Sequence, residues 1–163
     1  GTKIVLQTVG KIRGIDFDPL FIEYARKQYS KENLKCSFSI VDITKRVPPG
    51  EPYDGAYALD LIEHISLNEE DKVMTNICAA LTRHAVCIIG TPNINAHTYA
   101  SPDSIAAHIN LKSADTLKEL LESYFYNAFI FSMNDEMVHT GFNPLAHYLI
   151  GVGVGNKKYR KIK

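Results

Sequence analysis

Lys11-Ile12-Arg13-Gly14-Ile15-Asp16-Phe17-Asp18-Pro19 decides how this chain folds. Residues 12–16 read as a short apolar strand that stops on an acidic side chain, and a helix begins at once. Asp18 carries the short acceptor side chain of a helix N-cap. Pro19 suits the first helical position, where its missing N–H would have had no partner. In a doubly wound α/β sheet, a carboxylate at the tip of such a strand is placed to accept hydrogen bonds from the two hydroxyls of a nucleoside ribose. Asp16 therefore points to a ligand built on adenosine. It leaves open whether that ligand is a dinucleotide or a methyl donor.

Outward from this turn, strands and helices alternate. Residues 19–29 predict a helix with Ile22, Ala25 and Tyr29 on one apolar face. Residues 36–43 predict a strand that ends at Asp42, and Val47-Pro48-Pro49-Gly50-Glu51-Pro52 reads as loop. A strand at 53–59 precedes a helix carrying Val73, Ile77 and Leu81. Ala85-Val86-Cys87-Ile88-Ile89-Gly90 is continuously apolar and rich in β-branched residues, as in a strand covered on both faces. Ser113 can cap a helix bearing Leu117, Leu120, Leu121 and Tyr124, and strands at 128–133 and 146–154 close the pattern. The polar stretch 132–142 between them reads as a connecting loop that could cover an acceptor pocket. The fold class expected is α/β: a Rossmann-like, doubly wound, mostly parallel sheet with an antiparallel edge pair made by the last two strands. The beginning departs from that pattern. Too few residues separate Ile4-Val5-Leu6 from residues 12–16 for a parallel crossover, which needs a dozen or more, so residues 2–9 predict a helix ending near Gly10. The strand and loop expected ahead of such a helix are then missing from this sequence.

The 163 residues suit one domain with a core of its own. We expect it over 1–155, N-terminally incomplete, followed by a basic tail at 156–163. Eighteen basic residues balance eighteen acidic ones, so net charge favours neither nucleic acid nor a membrane surface as partner. No apolar run approaches the roughly 20 residues of a membrane span, and no basic-then-apolar start suggests a secretory signal. Cys36, Cys78 and Cys87 lack a paired spacing and fall in expected strands and a helix. They read as reduced core thiols in a cytoplasmic protein.

Three segments carry a family pattern in order and spacing. They are Gly14-Ile15-Asp16-Phe17-Asp18-Pro19, the stretch from Tyr53-Asp54-Gly55 through Asp60-Leu61-Ile62-Glu63-His64-Ile65, and Ile88-Ile89-Gly90-Thr91-Pro92-Asn93. In these the chain resembles the class I S-adenosylmethionine-dependent methyltransferases, in particular the small-molecule branch related to quinone-biosynthesis methyltransferases. The middle segment, with its aromatic-Asp start and Glu-His finish, is the most specific. The resemblance implies S-adenosylmethionine as cofactor and a small molecule or biosynthetic intermediate as methyl acceptor, with the oligomeric state open. It places the family's first strand at the centre of the sheet and makes Gly1 the last glycine of the loop that wraps the methionine end of the cofactor.

The same resemblance assigns Asp16 to the ribose, Phe17 to the adenine ring, Asp42 to the adenine amino group, Ile43 to an apolar contact with the base, and the main chain of Leu59 to the amino acid moiety. Four of these have a plainer reading: Asp16 as a turn residue, Phe17 and Leu59 as core, Asp42 as a cap or loop carboxylate. His64 is the candidate base for removing an acceptor proton, while Glu63 and His64 together could instead fix the helix after their strand. His97, His108, His139 and His147 show no metal-ligand spacing, so no metal is expected. Two rivals remain at this level: a nicotinamide-dependent oxidoreductase of Rossmann type, and a non-catalytic domain that kept the fold.

Overall fold

The strand that ends on Asp16 forms where the sequence places it. In the computed structural model, which describes residues 1–30 and 35–159, β1 is Ile12–Asp16 and β2 is Cys36–Ile40. They pair in parallel from Ile12↔Cys36 to Asp16↔Ile40. Helix α2, Pro19–Gln28, lies between them in sequence and is started by Asp18, whose carboxylate accepts from the Leu20 N–H at 2.7 Å. Ile22 is the helix residue that reaches the core. Gly14 is needed for close packing: a Cβ there would stand 2.6 Å from the Phe38 ring. The Arg26 guanidinium closes α2 onto β2 by donating to the Phe38 carbonyl through Nε and Nη2 (3.1 and 2.8 Å). The expected helix at 2–9 is shorter in the structure. Helix α1 is Thr2–Val5, and turns continue to Thr8.

By contacts the chain divides into two compact units, Gly1–Pro48 and Pro49–Lys163. The first contains the β1–β2 sheet. The second is built on five strands in the order β3-β4-β7-β5-β6. Their ranges are β3 Tyr53–Leu59, β4 Leu81–Pro92, β5 Phe125–Asn134, β6 Met137–His139 and β7 Tyr148–Asn156. β3 and β4 are parallel, while the β4–β7, β7–β5 and β5–β6 pairs are antiparallel. β3, β4 and β5 thus share one direction, and β6 and β7 reverse it. The fold is the expected α/β type with a mixed, mostly parallel arrangement. The antiparallel β5–β7 pair lies towards one end of the sheet, with β7 slotted between β4 and β5. Among the described residues, neither β1 nor β3 has a second ladder partner.

Helix α3, Leu67–Ala79, covers this second sheet with Val73, Met74, Ile77 and Cys78, all buried. Leu81, expected on the helix face, instead starts β4. The reason is tertiary: the Tyr53 N–H donates to the Ala80 carbonyl at 2.8 Å, and the Asn156 amide donates to the carbonyls of Cys78 and Leu81 (2.8 and 3.2 Å). After the short helix α4, Pro102–Ala107, helix α5, Ala114–Tyr124, begins with the Ser113–Thr116 capping box and packs Leu117 and Leu121 onto β7 at Gly151. Phe125 occupies the space that a side chain at Gly153 would need. The stretch 132–142 is not a simple connection. β5 runs on to Asn134, turns through Asp135 in the left-handed region (φ 50°) and returns as β6. The beginning of the expected basic tail is held in place: the Lys157 N–H donates to the Tyr124 carbonyl and its ammonium to the Glu122 carbonyl (2.9 and 2.6 Å). Residues 160–163 of that tail lie outside the described residues.

Candidate active site

Within the first unit, the C-terminal ends of β1 and β2 form one tip. The Val41 N–H donates to the Asp16 carbonyl at 2.8 Å, which sets residues 41–43 beside Asp16 and Phe17. One Asp16 carboxylate oxygen accepts from the Asp18 N–H at 2.8 Å, so the turn into α2 orients the side chain. Phe17 is 74% exposed, which excludes the reading of it as a core phenylalanine. β2 stops at Ile40, two residues short of the expected end, because Asp42 bends the chain locally. Its Oδ1 accepts from the Thr44 N–H and hydroxyl (3.0 and 2.6 Å), and its Oδ2 lies 2.7 Å from the Lys45 ammonium. These partners, Lys45 first and Thr44 second, hold the Asp42 carboxyl at about 2, below its ordinary value of 3.8. Ile43 is 8% exposed, so most of its side chain faces the core. The Gly1 carbonyl accepts from Ile4 and Val5 and closes the first turn of α1. A hollow of about 270 Å³ lined by Arg26, Tyr29, Cys36, Ser37 and Phe38 sits at the start of β2, the opposite end from this tip.

In the second unit, Leu59 ends β3 opposite Gly90 and is 51% exposed, more than plain core packing requires. A Cβ on Gly90 would stand 2.6 Å from Leu59 Cδ2 and 2.7 Å from the Tyr148 hydroxyl, so this glycine lets both side chains close over the backbone. Asp60 follows with φ 55°, and a 3-10 helix, Ile62–His64, begins two residues later. Glu63 is fully buried (0% exposed) and does not face outward. Its Oε2 accepts from the Thr91 hydroxyl at 3.2 Å. Burial raises the Glu63 carboxyl above its ordinary 4.5, and the nearby Asp60 charge adds to the rise. Burial and Asp60 likewise push the Tyr148 hydroxyl up. His64 is exposed, with Nδ1 3.1 Å from the Ala107 carbonyl oxygen and its ring edge-on to His108 (centroids 5.1 Å apart).

The residues that the sequence reading missed lie at 107–112. The Ile109 and Asn110 N–H groups donate to the Glu63 carbonyl (2.8 and 3.1 Å). Lys112, 5% exposed, pairs with Glu70 at 2.5 Å and donates to Asn110 Oδ1 at 2.9 Å, while the Asn110 amide donates to Glu70 at 2.6 Å. Burial of Lys112 requires such a partner set. No spacing rule links these residues to Glu63 and His64. The one sequence cue is a lysine between Leu111 and the Ser113 cap, in a stretch with neither helical nor strand period.

A model of a methyltransferase-domain family matches residues 2–84, half of the chain. The chain belongs to that methyltransferase family, whose methyl donor is S-adenosylmethionine. Membership decides between the two cofactor readings against the nicotinamide one, and it does not single out the quinone-biosynthesis branch. Solved structures share the fold. The N-methyltransferase NodS from Bradyrhizobium japonicum WM9 is 14% identical, with 94% of this chain and 78% of that one covered at a TM-score of 0.65. The PH0226 protein from Pyrococcus horikoshii OT3 is 13% identical (94% and 77% covered, TM-score 0.68). A chain in the complex of the Haloferax volcanii Trm112 methyltransferase activator with a putative methyltransferase is 14% identical (94% and 76% covered, TM-score 0.74). Identities this low speak for the fold alone. No curated protein sequence matches.

The side chains at the β1–β2 tip fit the adenosine end of the donor. An acceptor-only carboxylate turned by its own backbone, beside an exposed aromatic ring, is the donor–acceptor complement of a ribose diol and a purine.

Proposed function

We propose that this methyltransferase acts on a small molecule or biosynthetic intermediate, with Asp16 accepting from the ribose hydroxyls of S-adenosylmethionine and Phe17 lying against the adenine. Asp42 and Ile43 complete the adenine side, and the main chain of Leu59 and the backbone at Gly1 serve the amino acid end. The observation that carries the reading is the Asp16–Phe17 tip: a carboxylate with one oxygen fixed by Asp18, next to an aromatic ring in solvent. Asp42 keeps its charge at any physiological pH, which suits an acceptor for an amino group. The donor supplies an activated methyl group on a sulfonium. The residues of the chain then have to align the acceptor with it and remove an acceptor proton where one must leave. His64 is the group for that proton, because its Nδ1–H donates to the Ala107 carbonyl and Nε2 is left with a lone pair. Buried thiols at Cys36, Cys78 and Cys87 support a reducing, cytoplasmic setting, with burial pushing Cys78 and Cys87 up to about 12. Among the described residues, no helix is long and apolar enough to cross a membrane.

Calorimetric titration of the full-length protein with S-adenosylhomocysteine, in parallel with NAD, tests this reading. Binding of the first and not the second is expected. Asp16→Ala should weaken it by about 1.5–3 kcal/mol, the range for a hydrogen bond to a charged group, with the fold unchanged by circular dichroism. Unaltered affinity in that variant would remove Asp16 from the site.

A further inference from the structure

We propose that Glu63, His64 and His108 form a binding site for one divalent first-row transition-metal ion, with a Glu63 carboxylate oxygen and one imidazole nitrogen from each histidine as ligands. The three ligand atoms lie within 4.8 Å of one another. A tetrahedral zinc site with bonds of 2.0–2.1 Å would bring them to about 3.3 Å, a closure within reach of side-chain rotation.

Four independent observations converge here. Among the described residues, Glu63 Oε1 is buried and has no hydrogen-bond partner, although Oε2 is satisfied by Thr91. A buried carboxylate oxygen left alone is costly, and a cation is a partner that a carboxylate and two imidazoles can share. The contact favours the His64 tautomer that metal ligation needs: a carbonyl oxygen can only accept, so in the neutral imidazole Nδ1 carries the proton and Nε2 keeps its lone pair. An imidazole that gives its other N–H to a backbone carbonyl is the usual support of a metal-bound histidine. His108 is brought in by the Ile109 and Asn110 hydrogen bonds to the Glu63 carbonyl, so its distance from Glu63 is set by the backbone. Finally, Asp60 is near enough for its charge to act on both Glu63 and His108, against the opposing influence of His64 and His97 on His108.

The ligand set selects the ion. Two imidazoles and one carboxylate favour zinc, cobalt or manganese over magnesium or calcium, which prefer oxygen throughout. Glu63 is buried, His108 is half-buried and His64 is exposed. The protein therefore supplies three ligands from one side and leaves coordination positions open to solvent, the pattern of a reactive site and not of a structural one. With the ion in place, the His64 Nε2 lone pair is held by the metal, so the base role proposed above for His64 belongs to the metal-free protein alone. An oxygen of the methyl acceptor could then occupy an open position.

The test is metal binding itself, so it does not depend on the methyl-transfer reading. Tag-free, chelator-treated protein is titrated with Zn²⁺ by calorimetry and with Co²⁺ by visible absorption. We expect one equivalent to bind, with cobalt bands of a low-coordinate N/O site. His64→Ala and His108→Ala should each weaken binding at least about tenfold, and the double variant should abolish it. Neither residue is buried, and matching thermal unfolding of the metal-free proteins checks that the fold survives. His139→Ala and Asp16→Ala should leave the metal affinity unchanged. Absence of saturable binding by the wild-type protein, or undiminished binding by the double variant, would overturn the proposal. The first outcome would mean that Glu63 Oε1 is satisfied by a proton and a water.

Discussion

Asp42 and Glu63 are both carboxylates that follow a parallel strand, and the protein holds them in opposite ways. Asp42 stands two residues past β2 and makes its own surroundings: a local turn through Thr44 and an ion pair with Lys45, all within four residues and in contact with water. Glu63 stands four residues past β3 and is buried, and the groups around it, Thr91 and residues 107–110, come from distant parts of the chain. The first arrangement lowers a carboxyl and the second raises one. A strand tip thus becomes either a solvated acceptor or a desolvated acid, depending on whether its partners are local or remote. The first suits recognition of a polar ligand arriving from solvent. The second suits a site that must be completed by something else.

The largest break in this comparison should come from the remote side. Lys112 is the buried cation that pins residues 107–112 to Glu70, so Lys112→Ala should cost about 3–5 kcal/mol, the penalty for removing one member of a buried pair. Urea unfolding measures this. A loss below about 1 kcal/mol would mean that the segment is held by its backbone alone.

Titration sharpens the contrast next, because the two acids have opposite signs. The lowered pKa of Asp42 contributes stability that is present above its ordinary 3.8 and lost as pH falls through about 2. Glu63, whose pKa is raised, acts the other way: the unfolded chain ionises first, so chelator-treated protein loses stability as pH rises above 4.5. Plotted against pH, the urea midpoint of Glu63→Gln should gain on wild type from pH 4.5 towards neutrality. The deficit of Asp42→Asn should shrink as pH drops from 4 to 2. Parallel curves for either variant would refute the corresponding assignment.

Local devices in the first unit should give smaller effects. Asp18→Ala removes the cap of α2 and should cost about 1 kcal/mol. Smallest of all should be Lys45→Ala. That side chain is 75% exposed, so its loss should leave the urea midpoint at neutral pH within experimental scatter. A larger shift would mean that the Asp42 turn depends on the ion pair and not on Thr44.

What was legible in the sequence follows the same division. β1, β3 and the starts of α2 and α5 come out where residue pattern and capping place them, because each signal lies within a few residues of its effect. The Asp16–Phe17 tip was legible for the same reason. The failures were non-local. β4 begins at Leu81 because Tyr53 and Asn156 claim the end of α3. The stretch 132–142 becomes a hairpin because His139 finds Ser132 across the β5–β6 ladder.

By itself, then, the sequence determined the α/β alternation, the parallel β1–β2 tip and the acidic side chain that ends it. These rest on backbone propensity, capping and hydrophobic period, all of which act over short stretches of chain. Only the tertiary structure decided that β7 enters between β4 and β5, that Glu63 is buried, and that His64 meets His108. Those outcomes depend on which distant carbonyls and N–H groups find one another once the core closes. An isolated Glu63-His64 pair in the sequence carries no mark of the Ala107 carbonyl that orients one of them, nor of the burial that strips water from the other.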